Sequence, residues 1–551
     1  MPQPTTRRDF LKIAAATAAL GAKASPSLAS PAGLPEEPAG DIAVRVTDAS
    51  RKFASAPSLH WQPAGGTPAS EAITVDPGSK FQEHLGIGGA FTDAACYMFN
   101  QLSPSAREEL FHEMFHPSEM GLSVCRICIG SSDYSRTMYS FDEGEPDPEL
   151  ARFSIDHDRP YILPILRQAR SVNPGLFLFA SPWSPPGWMK PNGSMLGGCM
   201  HRMTMPAYAN YFLKFLRAYE AEGVEINAVT SQNEVDTEQD GRMPACAWPQ
   251  EYEISFVTDL LGPLLRQNRI ETKIWLLDHN YNLWGRAICS LEAPGLREYV
   301  NAIAWHGYVG TPDMMTRVHD TYPEVEMFWT EGGPDVAAKD YATDWSNWGQ
   351  TFTGTLRNWC RSMIGWNLAL DEKGKPNIGP FGCGGTVTID SETKKITRSG
   401  HFWAMNHFSR SIRRGARRLG SEGGPSDAYH VAFDNPDGER LLIVTNPGAG
   451  RAVQVRLAGM VADVSLPGDS LTTLTWKWDG LFVERDALLK LQLEFSDVPM
   501  RRIVRRVLVR PGTAKVVLGK YLVEIRLTCY SCLPAFLFHS LSVRAASRVA
   551  R

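Results

Sequence analysis

The chain has 551 residues, of which 43% are hydrophobic and 21% charged, with a formal net charge of −4. This is ordinary globular composition with enough chain for more than one folded unit, which excludes a disordered or fibrous protein. The slightly negative balance gives no electrostatic reason to expect nucleic acid or an anionic membrane as partner.

Residues 1–29 read as an export signal. Arg7-Arg8 stand ahead of a weakly apolar run from Ile13 to Gly21, and small residues lead to Ser27-Leu28-Ala29, as in a bacterial twin-arginine signal. The run is too short to span a bilayer, so no stable membrane insertion is expected and the mature protein belongs in the periplasm or outside the cell. Residues 30–40 form a Pro/Ala/Gly/Glu linker. Residues 41–80 then carry short strand-like pieces, Ile42-Ala-Val-Arg-Val46 and Ala72-Ile-Thr-Val75. They are too few for an independent sheet and need partners further along the chain.

Over residues 81–410 short apolar runs alternate with amphipathic segments of helix length. The runs cover 87–91, 123–129, 176–182, 226–233, 273–278, 302–306, 327–330 and 363–368. Eight strands alternating with helices predict an α/β fold, a (β/α)₈ barrel with long loops. The alternative is an open doubly wound sheet, which the lack of a Gly-rich phosphate fingerprint after any strand weakens. Helices are predicted, for example, over 105–114 and 207–219. Residues 411–476 return to strands without helices, including His430-Val-Ala-Phe433 and Arg440-Leu-Leu-Ile-Val-Thr445, with Asn435-Pro-Asp-Gly438 as a hairpin signal. Paired with the pieces near Ile42 and Ala72, they predict one appended β-sandwich. The remainder, 477–551, is a basic tail with no structure assigned; residues 478–551 hold thirteen Lys/Arg against six Asp/Glu.

Ten cysteines are scattered without paired metal-ligand spacing. Cys125 and Cys128 sit in one strand-like run, where alternate residues face opposite sides, and Cys529-x-x-Cys532 lacks a second pair. No metal or organic cofactor is expected, and the thiols are expected to be mostly free and buried.

Two carboxylates stand out. Glu326-Met-Phe-Trp-Thr-Glu-Gly-Gly333 and Ile226-Asn-Ala-Val-Thr-Ser-Gln-Asn-Glu234 are apolar runs that each close on a glutamate. In a barrel, the ends of the fourth and seventh strands share one mouth, which brings Glu234 and Glu331 together where barrel enzymes keep their chemistry. A pair of carboxylates flanking one bond is the equipment for glycoside hydrolysis.

Longer motifs carry a resemblance. Phe81-Gln-Glu-His-Leu-Gly-Ile-Gly-Gly-Ala-Phe-Thr-Asp-Ala-Ala95, Phe179-Ala-Ser-Pro-Trp-Ser-Pro-Pro-Gly-Trp-Met-Lys-Pro-Asn-Gly193, Thr230-Ser-Gln-Asn-Glu234, Trp305-His-Gly-Tyr308 and Trp366-Asn-Leu-Ala-Leu370 run in the order found in glycoside hydrolase family 30. The sequence resembles that family from about Phe81 to Trp476. The resemblance implies a retaining β-glycosidase, most simply β-glucosidic, with a β-linked glucoside, glucan or glycolipid as substrate. It implies Glu331 as nucleophile and Glu234 as general acid/base, in agreement with the strand-end reading. Like charge is expected to raise the pKa of Glu234 and keep it protonated.

By the same resemblance Asn233 bonds the sugar 2-hydroxyl, Asp133 binds sugar hydroxyls, and Arg126 supports the nucleophile. His306 and Tyr308 orient the nucleophile or contact substrate, Trp183 and Trp366 offer ring faces, and Asn367 lies beside them in the substrate site. Asp278-His279 are placed toward the next subsite. Departures at Val235, Trp305 and Ile364-Gly365 bear on the aglycone site. The rivals are a β-xylosidase or β-fucosidase on the same scaffold, or a carbohydrate-binding protein without turnover. The intact glutamate pair argues against the last.

Overall fold

A computed structural model describes residues 41–65 and 71–477, together with four strand segments between 504 and 546. The export signal, the linker and the Cys529/Cys532 pair lie outside the described residues.

The eight predicted runs form a closed parallel barrel. Its strands are β1 (Gly86–Phe91), β2 (Val124–Cys128), β3 (Phe177–Ser181), β4 (Ala228–Thr230), β5 (Lys273–Asn280), β6 (Val300–His306), β7 (Glu326–Glu331) and β8 (Cys360–Gly365). Closure pairs Ser362 with Gly86 and Gly365 with Gly89. Glycine is required there: a Cβ on Gly88 would fall 1.8 Å from the Val124 carbonyl oxygen. The interior is filled by Val124, Phe179, Trp275, Phe328 and Ile364, all buried. Trp275 stacks on Phe328 with ring centroids 4.2 Å apart, which makes the barrel a packed core with chemistry only at its rim.

Helices enclose the barrel. The predicted helix over 105–114 spans Pro104–Phe115, with Ser103 accepting the Ala106 N–H as N-cap and Pro104 in the first turn. That over 207–219 spans Met205–Ala221 and buries Tyr208, Tyr211, Phe212 and Phe215.

The second layer is a ten-stranded sheet built from both ends of the chain. Ile42–Thr47 pairs antiparallel with Ser470–Lys477, and Ile73–Glu83 with Arg417–Gly423. The early pieces therefore find their partners some four hundred residues later. Strict alternation, as in Met460–Leu466, buries one face around Ile42, Leu442, Leu474 and Trp476. His407, fully buried on the last barrel helix (Gly400–Ser411), bridges the hydroxyls of Thr47 (2.8 Å) and Thr473 (2.7 Å) and ties barrel to sandwich.

Part of the basic tail departs from expectation. Val504–Arg510, Thr513–Leu518, Tyr521–Leu527 and Leu541–Ala546 pair as an antiparallel four-stranded sheet. Pro511-Gly512 and Gly519-Lys520 stand between the first three in sequence, a hairpin signal of the ordinary kind that the charge excess hides. Among the described residues no helix is long and apolar enough to cross a membrane, and all eight described cysteines are free, five of them buried.

Candidate active site

The barrel's C-terminal rim gathers the strand-end residues. Glu331 is the last residue of β7, and Glu234 follows β4 by four residues with φ +56°. Leu277 and Asp278 on β5 (φ +74° and +46°) and Asn367 just past β8 (φ +63°) are also left-handed. Each such non-glycine residue costs about 1–3 kcal/mol and persists only where its surroundings over-determine it. Here they do: buried Glu253 accepts the Leu277 N–H (3.1 Å) and the Ser231 hydroxyl (2.8 Å), and bonds Arg286 (3.0 Å).

Arg126, on β2 and without exposed surface, organises the floor. Its guanidinium donates to Glu331 Oε2 (2.5 Å), Asn233 Oδ1 (2.7 Å) and Asp278 Oδ2 (2.6 Å). One rigid planar group thus fixes residues from β7, the β4 loop and β5. Tyr308, a residue 46% exposed, donates its hydroxyl inward to Glu331 Oε1 at 3.0 Å. Glu331 therefore receives one donor on each oxygen, an arrangement that suits an anion.

Asp278 is not directed to a further subsite. It is fully buried and accepts from Arg126, Ser181 (2.7 Å), Thr230 (2.8 Å), Thr330 (2.7 Å) and His306 Nε2 (3.0 Å). Burial raises its pKa, but Arg126 and His306 override that and hold it well below the usual carboxylate range. The hydroxyls of Ser181, Thr230 and Thr330 were missed from sequence. Small hydroxyl residues at three strand ends are the available signal, but nothing in the sequence points them at one carboxylate.

His306 lies between the two glutamates. Its Nδ1 is 3.3 Å from Glu234 Oε1 and its Nε2 3.8 Å from Glu331 Oε2. Burial works against its charge, yet Glu331, Asp278 and Glu234 raise its pKa to about 9. Burial pushes Glu234 up, but the His306 hydrogen bond, the two imidazoles of His279 and His306, and Gln239 outweigh it and leave it below its ordinary value. Burial, with Glu234 and Asp278 adding to it, leaves Glu331 above its own, against His306 and Arg126. This reverses the expectation that Glu234 is the raised carboxyl. The physical reason is His306, whose hydrogen bond and charge favour the ionised form of Glu234. Gln239, a further donor to Glu234 Oε2 at 2.5 Å, was also missed.

Asp133 faces the same mouth, and burial together with Glu331 and Glu234 raises its pKa well above the ordinary value. Trp183 and Trp366, expected to offer ring faces, are each only 2% exposed: they stack on each other at 5.0 Å with Arg126 over Trp183 at 4.6 Å, so the rings form the packed wall of the site and present no open face. Two further residues assigned to sugar contact are also enclosed. His306 and Asn367 have no exposed surface; Asn367 Oδ1 accepts from Thr92 (2.9 Å), and the residue holds the turn after Trp366. Trp305 is equally buried, with Nε1 on Met327 Sδ, so that departure is accommodated in the packing outside the barrel.

Among the described residues one group of side chains could hold a metal ion. Glu234, His279 and His306 each present a ligand atom, and these atoms all lie within 4.8 Å of one another.

A closed parallel barrel with convergent carboxylates at its rim and a sandwich built from both chain ends defines a class of carbohydrate-cleaving enzyme. Residues 85–412 match the glycosyl hydrolase family 30 TIM-barrel domain and residues 415–474 the β-sandwich domain of the same family. An endo-1,6-β-D-glucanase of Neurospora crassa is 32% identical over 406 residues, covering 69% of this chain and 83% of the relative. The lysosomal acid glucosylceramidase of Mus musculus is 28% identical over 432 residues, covering 74% and 83%. Among solved structures, the endo-β1,6-glucanase BT3312 superposes with a TM-score of 0.73 at 29% identity, covering 80% of this chain and 99% of that one. SrfJ from Salmonella typhimurium gives 0.76 at 26%, covering 80% and 100%. The chain belongs to glycosyl hydrolase family 30 and is a glycoside hydrolase.

Proposed function

We propose that the protein is a retaining β-glucoside hydrolase acting by double displacement, with Glu331 as nucleophile and Glu234 as general acid/base. The observation that carries this is the asymmetric setting of the two glutamates around one imidazole. Glu331 is held by Arg126 and Tyr308, donors that orient an attacking oxygen and disperse its charge. Glu234 shares a proton with His306, which keeps an acid equivalent one hydrogen bond from the leaving oxygen.

In the first step Glu331 attacks the anomeric carbon while the Glu234–His306 pair delivers its proton to the departing oxygen. In the second, Glu234 takes a proton from water, which attacks the glycosyl ester and frees Glu331. The reading requires a carboxyl separation of about 5–5.5 Å. Asn233, pinned by Arg126, would meet the 2-hydroxyl, and Asp133 other sugar hydroxyls. The likeness to two 1,6-glucanases supports a β-1,6-linked glucan as substrate. Export by the twin-arginine route, with action outside the cytoplasm, belongs to the same proposal and rests on Arg7-Arg8 and the run after them.

The test is hydrolysis of aryl β-glucoside, β-1,6-glucan and glucosylceramide by the mature chain beside Glu331→Ala. The variant should lose about 10⁴-fold or more in kcat. Azide should restore part of the turnover and yield a glycosyl azide of inverted configuration. Turnover that survives the substitution would remove Glu331 from the reaction.

A further inference from the structure

The two histidines at the mouth are oriented alike. His306 Nε2 faces Asp278 Oδ1 at 3.0 Å, and His279 Nε2 faces Asp236 Oδ1 at 2.6 Å. A carboxylate accepts only, so each Nε2 carries a proton and each Nδ1 is turned inward, where it can ligate a metal once any proton it shares with Glu234 is displaced. His306 Nδ1 is 3.3 Å and His279 Nδ1 3.6 Å from the same atom, Glu234 Oε1. His279 is 6% exposed, and its Nδ1 is a buried nitrogen with no hydrogen-bond partner. A buried imidazole nitrogen without a hydrogen-bond partner is costly, and a retained one points to a ligand. A carboxylate behind each imidazole is also the outer-shell arrangement of metal-bound histidines, fixing the tautomer and raising the basicity of the ligating nitrogen.

We infer that Glu234, His279 and His306 form a transition-metal site, and that Zn²⁺ bound there switches the hydrolase off. Tetrahedral Zn²⁺ with nitrogen and oxygen donors at about 2.0–2.2 Å has its ligand atoms about 3.3–3.6 Å apart. Two edges of the triangle already have that length, and the third closes within 4.8 Å. Two imidazoles and one carboxylate favour Zn²⁺ over the oxygen-seeking Mg²⁺ and Ca²⁺. The Asp236, Asp278 and Glu331 carboxylates nearby add to the attraction for a dication. Binding releases the proton shared by Glu234 and His306 and ties up Glu234 Oε1. The site is then left without its acid, and the fourth metal position opens toward the sugar. Zn²⁺ is here an inhibitor that competes with substrate. The inhibition rests on the role proposed for Glu234; the binding does not.

Calorimetric titration with Zn²⁺ and visible absorption of added Co²⁺ read binding without turnover. The intact protein at fixed neutral pH should take up one ion per chain, show the intense visible bands of low-coordinate Co²⁺, and release the ion to a chelator. His279→Ala should weaken binding by at least about tenfold and abolish the bands. Asp236→Asn, which leaves all three ligands in place, should weaken it about 10–100-fold. Thermal melting confirms that the variants fold. In parallel, Zn²⁺ should inhibit aryl β-glucoside hydrolysis over the range in which it binds, competitively with substrate, and the inhibition should weaken with His279→Ala. Binding unchanged in His279→Ala would assign the ion to thiols such as exposed Cys199 or Cys289 and overturn the proposal, as would no binding. A chain that binds Co²⁺ through His279 but cleaves no β-glucoside would sustain the metal site and refute the hydrolase specificity instead.

Discussion

The barrel rim and the sandwich are built on opposite rules. In the sandwich, a strand such as Met460–Leu466 alternates cleanly, one buried face is apolar around Leu442 and Leu474, and the non-glycine left-handed residues, Phe53, Ala458 and Asp469, sit between strands. At the rim, Arg126, Asp278 and His306 are buried with no exposed surface, and left-handed residues stand at the ends of strands. Along such strands the sandwich follows local preference. The rim breaks it where chemistry needs charges held out of water, and relies on the surrounding packing to keep them there.

That contrast can be broken at its strongest point by Asp278→Ala. Removing one partner of a buried ion pair leaves Arg126 with Glu331 as its remaining carboxylate and takes the acceptor from the Ser181 hydroxyl, while Thr230 and Thr330 fall back on Ser181 Oγ and the Trp305 carbonyl. We expect a loss of about 3–5 kcal/mol in a denaturant titration together with a collapse of kcat. Stability that survived would show that the hub is dispensable. Leu442→Ala sharpens the comparison from the other side: a cavity in the sandwich should cost about 2–5 kcal/mol, the range for large-to-small core substitutions, while kcat of the folded enzyme stays unchanged. A parallel fall in kcat would mean that the sandwich reports to the site.

Smaller effects lie at single hydrogen bonds. Tyr308→Phe deletes one donor to Glu331, for which a loss of about 1.5–3 kcal/mol in transition-state stabilisation is expected, read as kcat/KM. The pH dependence of stability is the finest probe. His306 titrates at about 9 in the folded protein, above its ordinary value of 6.5, so its contribution is complete below 6.5 and is lost as pH rises through about 9. The difference in Tm between wild type and His306→Gln should therefore shrink across that window. A constant difference would place the proton elsewhere.

Much of this was legible in the sequence. The eight apolar runs were visible because strands buried on both faces read as unbroken apolar stretches, and their regular alternation with helices implied a barrel. Glu331 and Glu234 were legible because each closes such a run. Asp278 was misplaced and Ser181, Thr230 and Thr330 passed unnoticed, because their meeting depends on strands far apart in the chain. The strands after residue 503 were hidden because the basic excess of the tail drew the reading away from its short apolar runs.

By itself, then, the sequence determined which segments become strands and helices, since hydrophobic period and turn residues act locally, and which glutamates end two of the strands. Tertiary structure alone decided what those glutamates face. Barrel closure set His306 between them, put Arg126 under Glu331 and Asn233, and turned His279 Nδ1 toward Glu234. Where a proton or a metal ion resides depends on charges a few ångströms apart in space, and residues hundreds of positions apart supply them.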